Sequence, residues 1–309
     1  MLKKVTTIIT LLIFLFSYST NLYAVPKCTC SQDRVLKLQT PPLYGEDIKE
    51  IQIQLNRMGY YTHDINGIYD KTTAEAAKQF QRSYNLVADG IFGIKSMTML
   101  AEIFESPAYN PNTEDPEGEI YIIINSLERR LTVMSDGKPF KSFPVAVGTF
   151  ETPTPIGAFK IIQKSSWGEG FGARWMRLNV PWGIYGIHGT NKPWSIGGFE
   201  SHGCIRMHNN HVKQVYNWID VGTKVYIVGG VDGPFTFGLR PLSTGSKGSD
   251  VVEVQKRLAG FGLYNGNFDG IYGSGTAQAV RKFQKDNGLK ITGSVNMATY
   301  EKLGIQLFE

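Results

Sequence analysis

The chain has 309 residues, 42% of them hydrophobic and 19% charged, a globular composition with room for two or three domains that each bury a core. Its formal net charge of +5 is mild. The basic residues are scattered among acids, without a Lys/Arg block or an aromatic-basic surface run, so nucleic acid is excluded as a partner.

Lys3 and Lys4 precede an apolar run from Val5 to Phe16, followed by polar Ser17, Ser19, Thr20 and Asn21, then Ala24. This order reads as a secretory signal peptide over residues 1–24. The apolar run is shorter than the roughly 20 residues of a spanning helix, so no stable membrane anchor is expected after cleavage. Lys27 before Cys28 and Thr29 before Cys30 do not make the small-residue run that lipid attachment needs. Export matters for the thiols: an oxidising compartment pairs them, and three cysteines leave at least one over. Cys28 and Cys30 are neighbours, while Cys204 stands alone. A reactive thiol and a small buried hydrophobe are the two roles open to it.

Residues 25–44 read as a linker. Beyond it, "GEDIKEIQIQLNRMGYYTHDINGIYDKTTAEAAKQFQ" from Gly45 aligns without a gap to "GSDVVEVQKRLAGFGLYNGNFDGIYGSGTAQAVRKFQ" from Gly248. The repeat predicts two units, at 45–104 and 246–309, each of three short helices. Asp47 with Glu50, and Asp250 with Glu253, fit an Asp form of the capping box. Ile48, Ile51 and Leu55 recur at helical spacing, and Gly59 sits where a left-handed terminator belongs. A turn at Asn66-Gly67 or Asp269-Gly270 leads to the second helix; the third starts near Ser96 and Asn296. Both copies resemble the peptidoglycan-binding-1 family, with its helix, "DG-aromatic-G" turn and "A-x-x-x-F-Q" helix. The resemblance implies a module that holds bacterial cell wall. Asn66-Gly67 and Asp89-Gly90 are open to two roles, lining a glycan groove or making turns.

"ESPAYNPNTEDPEGE" and "GGVDGPFTFGLRPLSTGSKGS" read as linkers, over 105–117 and 230–245. They isolate a middle unit at 118–229. "EIYIIIN", "RRLTVMSDGKPFKSFPVAVG" with a hairpin turn at Asp136-Gly137, "GAFKIIQ", "WMRLNV" and "KVYIVGG" read as strands. "HNNHVKQVYNWID" reads as a helix with Val212, Val215, Tyr216 and Ile219 on one face. The fold class is therefore multidomain: a mainly-β unit, a curved sheet or sandwich with one packed helix, between two small all-α domains.

Within that unit, "GIHGTNKPWSIGGFESHGCIRM" from Gly186 to Met207 concentrates residues that carry chemistry. A cysteine attacks acyl groups as thiolate and needs a base or positive surroundings to reach that form. It also needs donors for the developing oxyanion, which backbone amides on a tight turn supply. Gly203 before Cys204 allows such a turn, and His188 is the candidate base. Three other readings compete on residue types alone. Cys204 and His188 suit a silent core. His188, His202, Cys204, His208 and His211 are zinc-ligand types, although without regular ligand spacing. A papain-like hydrolase would place its cysteine before its histidine, the reverse of the order here.

"TPTPIGAFKI" (Thr152 to Ile161), "GIHGT" (Gly186 to Thr190) and "SHGCIRM" (Ser201 to Met207) resemble, in order and over nearly the whole unit, the L,D-transpeptidase (YkuD) catalytic domain. The resemblance implies that Cys204 is the nucleophile, that His188 is the general base and that the Gly189 backbone carbonyl orients its imidazole. It also implies an oxyanion hole from the amides of His202, Gly203 and Cys204. Arg206 is the candidate grip for a substrate carboxylate, with a surface ion pair as its other role. Ser201, Tyr185 and Trp194 are placed on the substrate side, together with Trp182. The implied partners are peptidoglycan tetrapeptide stems as donor and acceptor, outside the cytoplasm in the bacterial wall. The implied reaction forms 3→3 cross-links; trimming of the same stems and a silent wall-binding scaffold are the alternatives. No metal or organic cofactor is called for.

Overall fold

The computed structural model describes residues 35–105, 115–166, 172–230 and 232–307. The leader expected over 1–24, Cys28 and Cys30 lie outside the described residues.

The first repeat contains β1 (Leu43–Tyr44), α1 (Glu46–Arg57), β2 (Ile68–Tyr69), α2 (Lys71–Ser83) and α3 (Ile94–Phe104). Ile48, Ile51 and Leu55 face its core with Phe80, Phe92 and Leu100, as the helical spacing requires. Gly59 follows the end of α1 with φ +80°, the left-handed stop expected there. The Asp capping box is corrected. Helix α1 starts from Gly45, at φ 154° and with no side-chain cap, because the Gly45 amide donates to Gly67 O (2.9 Å) and its carbonyl accepts from Ile48 and Lys49. Asp47 thus falls inside the first turn rather than before it. Asp250 is likewise drawn away, onto Arg240 Nε at 2.7 Å.

Buried glutamines pin the turns of both repeats. Gln52 Nε2 lies 3.0 Å from both Asn66 Oδ1 and Thr73 Oγ1, while its Oε1 accepts from the Gly67 amide at 2.9 Å. Gln81 does the same with Asp89, Ser96 and Gly90, Gln255 with Asp269, Thr276 and Gly270, and Gln284 with Thr292, Thr299 and Gly293. Each repeat is therefore built from two similar half-units. Asn66 and Asp89 also accept from the amides two residues on, so their side chains are committed to making turns.

The middle unit runs β3 (Ile120–Asn125), β4 (Arg130–Ser135), β5 (Lys138–Pro144), β6 (Val147–Gly148), β7 (Gly157–Ser165), β8 (Trp175–Leu178), β9 (Gly186–Gly189), β10 (Phe199–Ser201), β11 (Ile205–Met207), α4 (Asn209–Trp218) and β12 (Lys224–Val228). Eight strands form one sheet in the order β11-β9-β8-β7-β12-β3-β4-β5. The hairpin at Asp136-Gly137 is confirmed, with φ of 47° and 77° at the two turn residues. Ile122, Ile124, Leu131, Val133, Val225 and Ile227 alternate inward along their strands, and Val212, Val215 and Trp218 of α4 cover them. The sheet curves until its ends meet: beyond β5, Ala146 exchanges two backbone hydrogen bonds of 2.9 Å with Arg206 of β11, the opposite edge.

The second repeat carries α5 (Ser249–Gly260), α6 (Ser274–Asp286) and α7 (Met297–Lys302), with Asn296 capping α7 as expected. Two linker assignments are corrected. Leu36 bridges to Phe92 and is buried in the first core. Phe235 and Leu242 are buried in the second core, with Leu239 packed against it. Both repeats thus begin before the repeated sequence does, because each small helical unit needs these apolar residues to close its core. Neither repeat stands apart from the middle unit. Lys192 Nζ meets Glu50 Oε2 at 2.6 Å on one side, and the Ile156 amide donates to Ser249 Oγ at 2.8 Å on the other.

Candidate active site

Cys204 sits on the turn between β10 and β11, buried, at the point where the sheet closes. Gly203 adopts φ +102°, and a Cβ there would come within 2.6 Å of the Tyr185 ring and 3.2 Å of the Pro153 carbonyl. Glycine is required on both counts. Ser201 staples the turn: its hydroxyl donates to Cys204 O (2.5 Å) and accepts from the Gly203 amide (3.1 Å). The loop through "TPTP" is tied to the same strand, since Thr149 N and Thr152 Oγ1 both donate to Ser201 O.

Parallel pairing of β11 with β9 sets Arg206 opposite His188. Cys204 lies two residues before Arg206, on the turn that leads into β11. His188 is buried against Trp175, with ring centroids 5.6 Å apart, and its Nδ1 lies 2.6 Å from Gly189 O. A carbonyl only accepts, so Nδ1 carries a proton and Nε2 is the basic nitrogen of the neutral ring.

The Gly189 carbonyl is itself held in place. Its amide donates to Ala173 O (2.8 Å), and Asn209, at the start of α4, accepts from Ala173 N (2.6 Å) and donates to Thr190 O (2.9 Å). A Cβ on Gly189 would lie 2.2 Å from Asn209 Oδ1, and one on Gly172 would lie 2.2 Å from the Gly189 carbonyl carbon. Two glycines and one asparagine therefore let three chain segments converge behind the imidazole. Sequence reasoning missed Asn209 and Gly172. Asn209 reads locally as a helix-start residue, and its partners are 36 and 19 positions away.

Arg206 is buried, and among the described residues its guanidinium forms no ion pair. Tyr185 and His202 line a cavity of about 430 Å³ beside the cysteine turn, together with Trp182. Three expectations are corrected. Ser201 is wholly buried and spent on the turn, not on a substrate. The Gly203 amide points to Ser201 Oγ, so the expected oxyanion hole loses its middle donor. Trp194 turns away to the first repeat, where it meets Phe104 edge-on with centroids 6.0 Å apart.

His208 caps α4 with its Nδ1 3.3 Å from Glu105 Oε1, and its ring lies 5.3 Å from that of His211. Burial first, then the neighbouring His208 charge, pushes His211 down to about 4. His211 is thus a half-buried neutral ring rather than a solvent residue. Among the described residues no three His, Cys, Asp or Glu side chains converge as a metal site. Among them, too, no helix is long and apolar enough to cross a membrane.

Residues 119–227 match the family model described as the L,D-transpeptidase catalytic domain (YkuD). "Putative L,D-transpeptidase YkuD" of Bacillus subtilis (strain 168) is 42% identical over 119 residues, which span 38% of this chain and 71% of that protein. The chain belongs to the L,D-transpeptidase family. "Putative L,D-transpeptidase YqjB" of the same organism is 37% identical over 134 residues, 38% of this transpeptidase and 76% of that one. Residues 44–100 and 247–303 each match the model named "Putative peptidoglycan binding domain". Among solved structures, an L,D-transpeptidase from Mycobacterium tuberculosis H37Rv aligns at TM-score 0.32 and 22% identity, over 35% of this chain and 57% of that one. The transpeptidase is thus a mainly-β catalytic unit flanked by two helical peptidoglycan-binding domains.

Proposed function

We propose that this L,D-transpeptidase is exported and forms 3→3 cross-links between peptidoglycan stems through a Cys204 thioester. The observation that carries the proposal is the register of β9 and β11, which sets Arg206 beside a carbonyl-oriented His188, with Cys204 on the turn that opens β11. Nε2 of His188 takes the thiol proton, and the thiolate attacks the carbonyl of the third residue of a tetrapeptide stem. The sulfur–carbon bond forms, the amide bond to the terminal D-alanine breaks, and His188 returns its proton to the leaving amine. The side-chain amine of a second stem's third residue then attacks the thioester. A new amide forms, the sulfur leaves, and His188 accepts the amine's proton. The role proposed for Arg206 is to grip a stem carboxylate, which its burial without an ion-pair partner among the described residues supports. Export is supported by the charged, apolar and small-residue order of positions 1–24.

Incubation of the protein with a purified disaccharide-tetrapeptide, read by mass spectrometry, tests the reaction. Loss of alanine with a cross-linked dimer, absent in Cys204→Ala, is the expected outcome. Alanine loss without dimer makes the protein a trimming enzyme, and no change in either sample leaves a wall-binding scaffold.

A further inference from the structure

The cavity beside the cysteine turn has two walls from different domains. The catalytic unit supplies Pro153, Trp182, Tyr185 and His202; the segment leading into the second repeat supplies Phe237 and Lys247. Three contacts join the walls. Ser249 Oγ accepts from the Ile156 amide at 2.8 Å. The Trp182 ring lies so close over Gly270 that a Cβ there would meet it at 2.4 Å. Phe237 meets Phe150 edge-on, with centroids 4.8 Å apart. The segment carrying Phe237 is rigid on its own side, since Phe235 is buried in the second core and Tyr300 OH donates to Arg240 O at 2.9 Å.

We propose that this cavity is the subsite for the amine acceptor, and that the second repeat and the segment before it complete it rather than only tethering the enzyme. The proposal rests on the transfer reaction set out above. Position supports it. Tyr185 and Pro153 both lie against Gly203, and His202 is in the lining, so an occupant is held against the turn that carries Cys204. The size, about 430 Å³, falls in the range of small-ligand sites.

The chemistry of the lining selects a primary amine. Phe150, Phe237, Trp182 and Tyr185 bring aromatic rings, whose faces attract an ammonium group when it leaves water. Pro153 and Pro155 have no N–H, so their carbonyls face the lining without a donor of their own. Glu151 adds a carboxylate at the exposed rim. The cation of Arg240 is already held by Asp250, at 2.7 and 3.2 Å. Lys247 is left to meet the carboxylate that a diamino acid carries beside its other amine.

The test uses the full chain with a disaccharide-tetrapeptide donor and a tripeptide stem whose free side-chain amine is the acceptor. The readout is the ratio of cross-linked product to hydrolysed donor at fixed acceptor concentration. Phe237→Ala is expected to shift that ratio toward hydrolysis by about fivefold, the effect of losing one ring from an ammonium site. Ser249→Ala is expected to shift it in the same direction, and Phe237→Tyr to preserve it. Melting curves and alkylation of Cys204 establish that each variant is folded. Unchanged ratios in both Phe237→Ala and Ser249→Ala overturn the subsite while leaving the transfer reaction standing. A rise of both products in these variants overturns it as well, by making the segment a plug. A wild-type protein that releases no alanine overturns the reaction and the subsite together.

Discussion

Removing the Asn209 side chain is expected to disable the histidine without touching it. Its amide accepts from Ala173 N at 2.6 Å and donates to Thr190 O at 2.9 Å, bracketing the Gly189 carbonyl that orients His188 Nδ1. Asn209→Ala leaves one backbone donor and one acceptor unsatisfied. At about 1–3 kcal/mol for each buried group, discounted because Ala173 is only half-buried, the cost is about 2–4 kcal/mol. A loss of that size lowers Tm on the order of 10 °C in a unit of this length. Activity should fall further. A catalytic group misplaced by about 1 Å costs on the order of 100-fold, and nothing else named here holds the peptide after Gly189 from that side. Asn209→Asp keeps the acceptor for Ala173 but sets an oxygen against Thr190 O, so it should lose activity nearly as fully while keeping more stability. The assay is the pH dependence of Cys204 alkylation together with alanine release. A variant that melts early yet keeps the wild-type alkylation profile and turnover refutes the positioning role and leaves Asn209 a packing residue.

Three further outcomes follow from the geometry. Gly203→Ala, at φ +102° and with 2.6 Å to the Tyr185 ring, should fold but lose turnover by at least about 100-fold, because the Cys204 turn must open; steady-state kinetics and circular dichroism separate the two effects. His211, pushed from 6.5 down to about 4, binds fewer protons folded than unfolded, so it contributes stability above pH 6.5 that is lost as the pH falls toward 4. The contribution is at most about 3 kcal/mol; His211→Phe should flatten the fall in Tm between pH 6.5 and 4 relative to wild type, and parallel curves would refute it. Gln255→Leu removes the acceptor for the Gly270 amide (3.0 Å) and the donor to Asp269 (2.9 Å), and should cost about 2–3 kcal/mol in the second repeat, measured by denaturant unfolding.

The parts of the fold that were legible in the sequence are those with local signals. The repeats show as self-similarity, the hairpin as Asp136-Gly137, and α4 through Val212 and Val215. The residues proposed as nucleophile and base stood out for a similar reason: Gly203 and Cys204 are adjacent, and His188 lies in a short glycine-bounded strand. What was not legible depends on partners far along the chain. Asp47 and Asp250 look like caps until the Gly45–Gly67 and Gly248–Gly270 bonds start the helices earlier. Leu36 and Phe235 look like linker residues because their cores are contributed by later segments. Ser201 and Trp194 lie near Cys204 in sequence, yet one is spent inside the turn and the other faces the first repeat. Proximity along a strand–turn–strand segment does not tell which side a residue faces once the sheet has closed on itself.

The two repeats share a fold but dock through different faces, and this difference can be measured. The first uses Glu50, Phe104 and Glu105, against Lys192, Trp194 and His208; the second uses Ser249 and Gly270, against Ile156 and Trp182. Glu253, the counterpart of Glu50, instead pairs within its own helix with Arg257 at 2.8 Å. Lys192 is therefore specific to the first repeat. Its side chain is only 8% exposed while Glu50 is 32% exposed, so Glu50→Gln strands a mostly buried cation, whereas Lys192→Met frees a carboxylate that still reaches water. The first change should cost more than the second, about 2–3 against about 1 kcal/mol, after allowing for the exposure of Glu50. The double variant should recover most of the larger loss, because no buried charge is left unpaired. Thermal unfolding of the four proteins gives the coupling. Additive losses would mean that the first repeat does not bear on Lys192 in solution, and docking through this face would then fail.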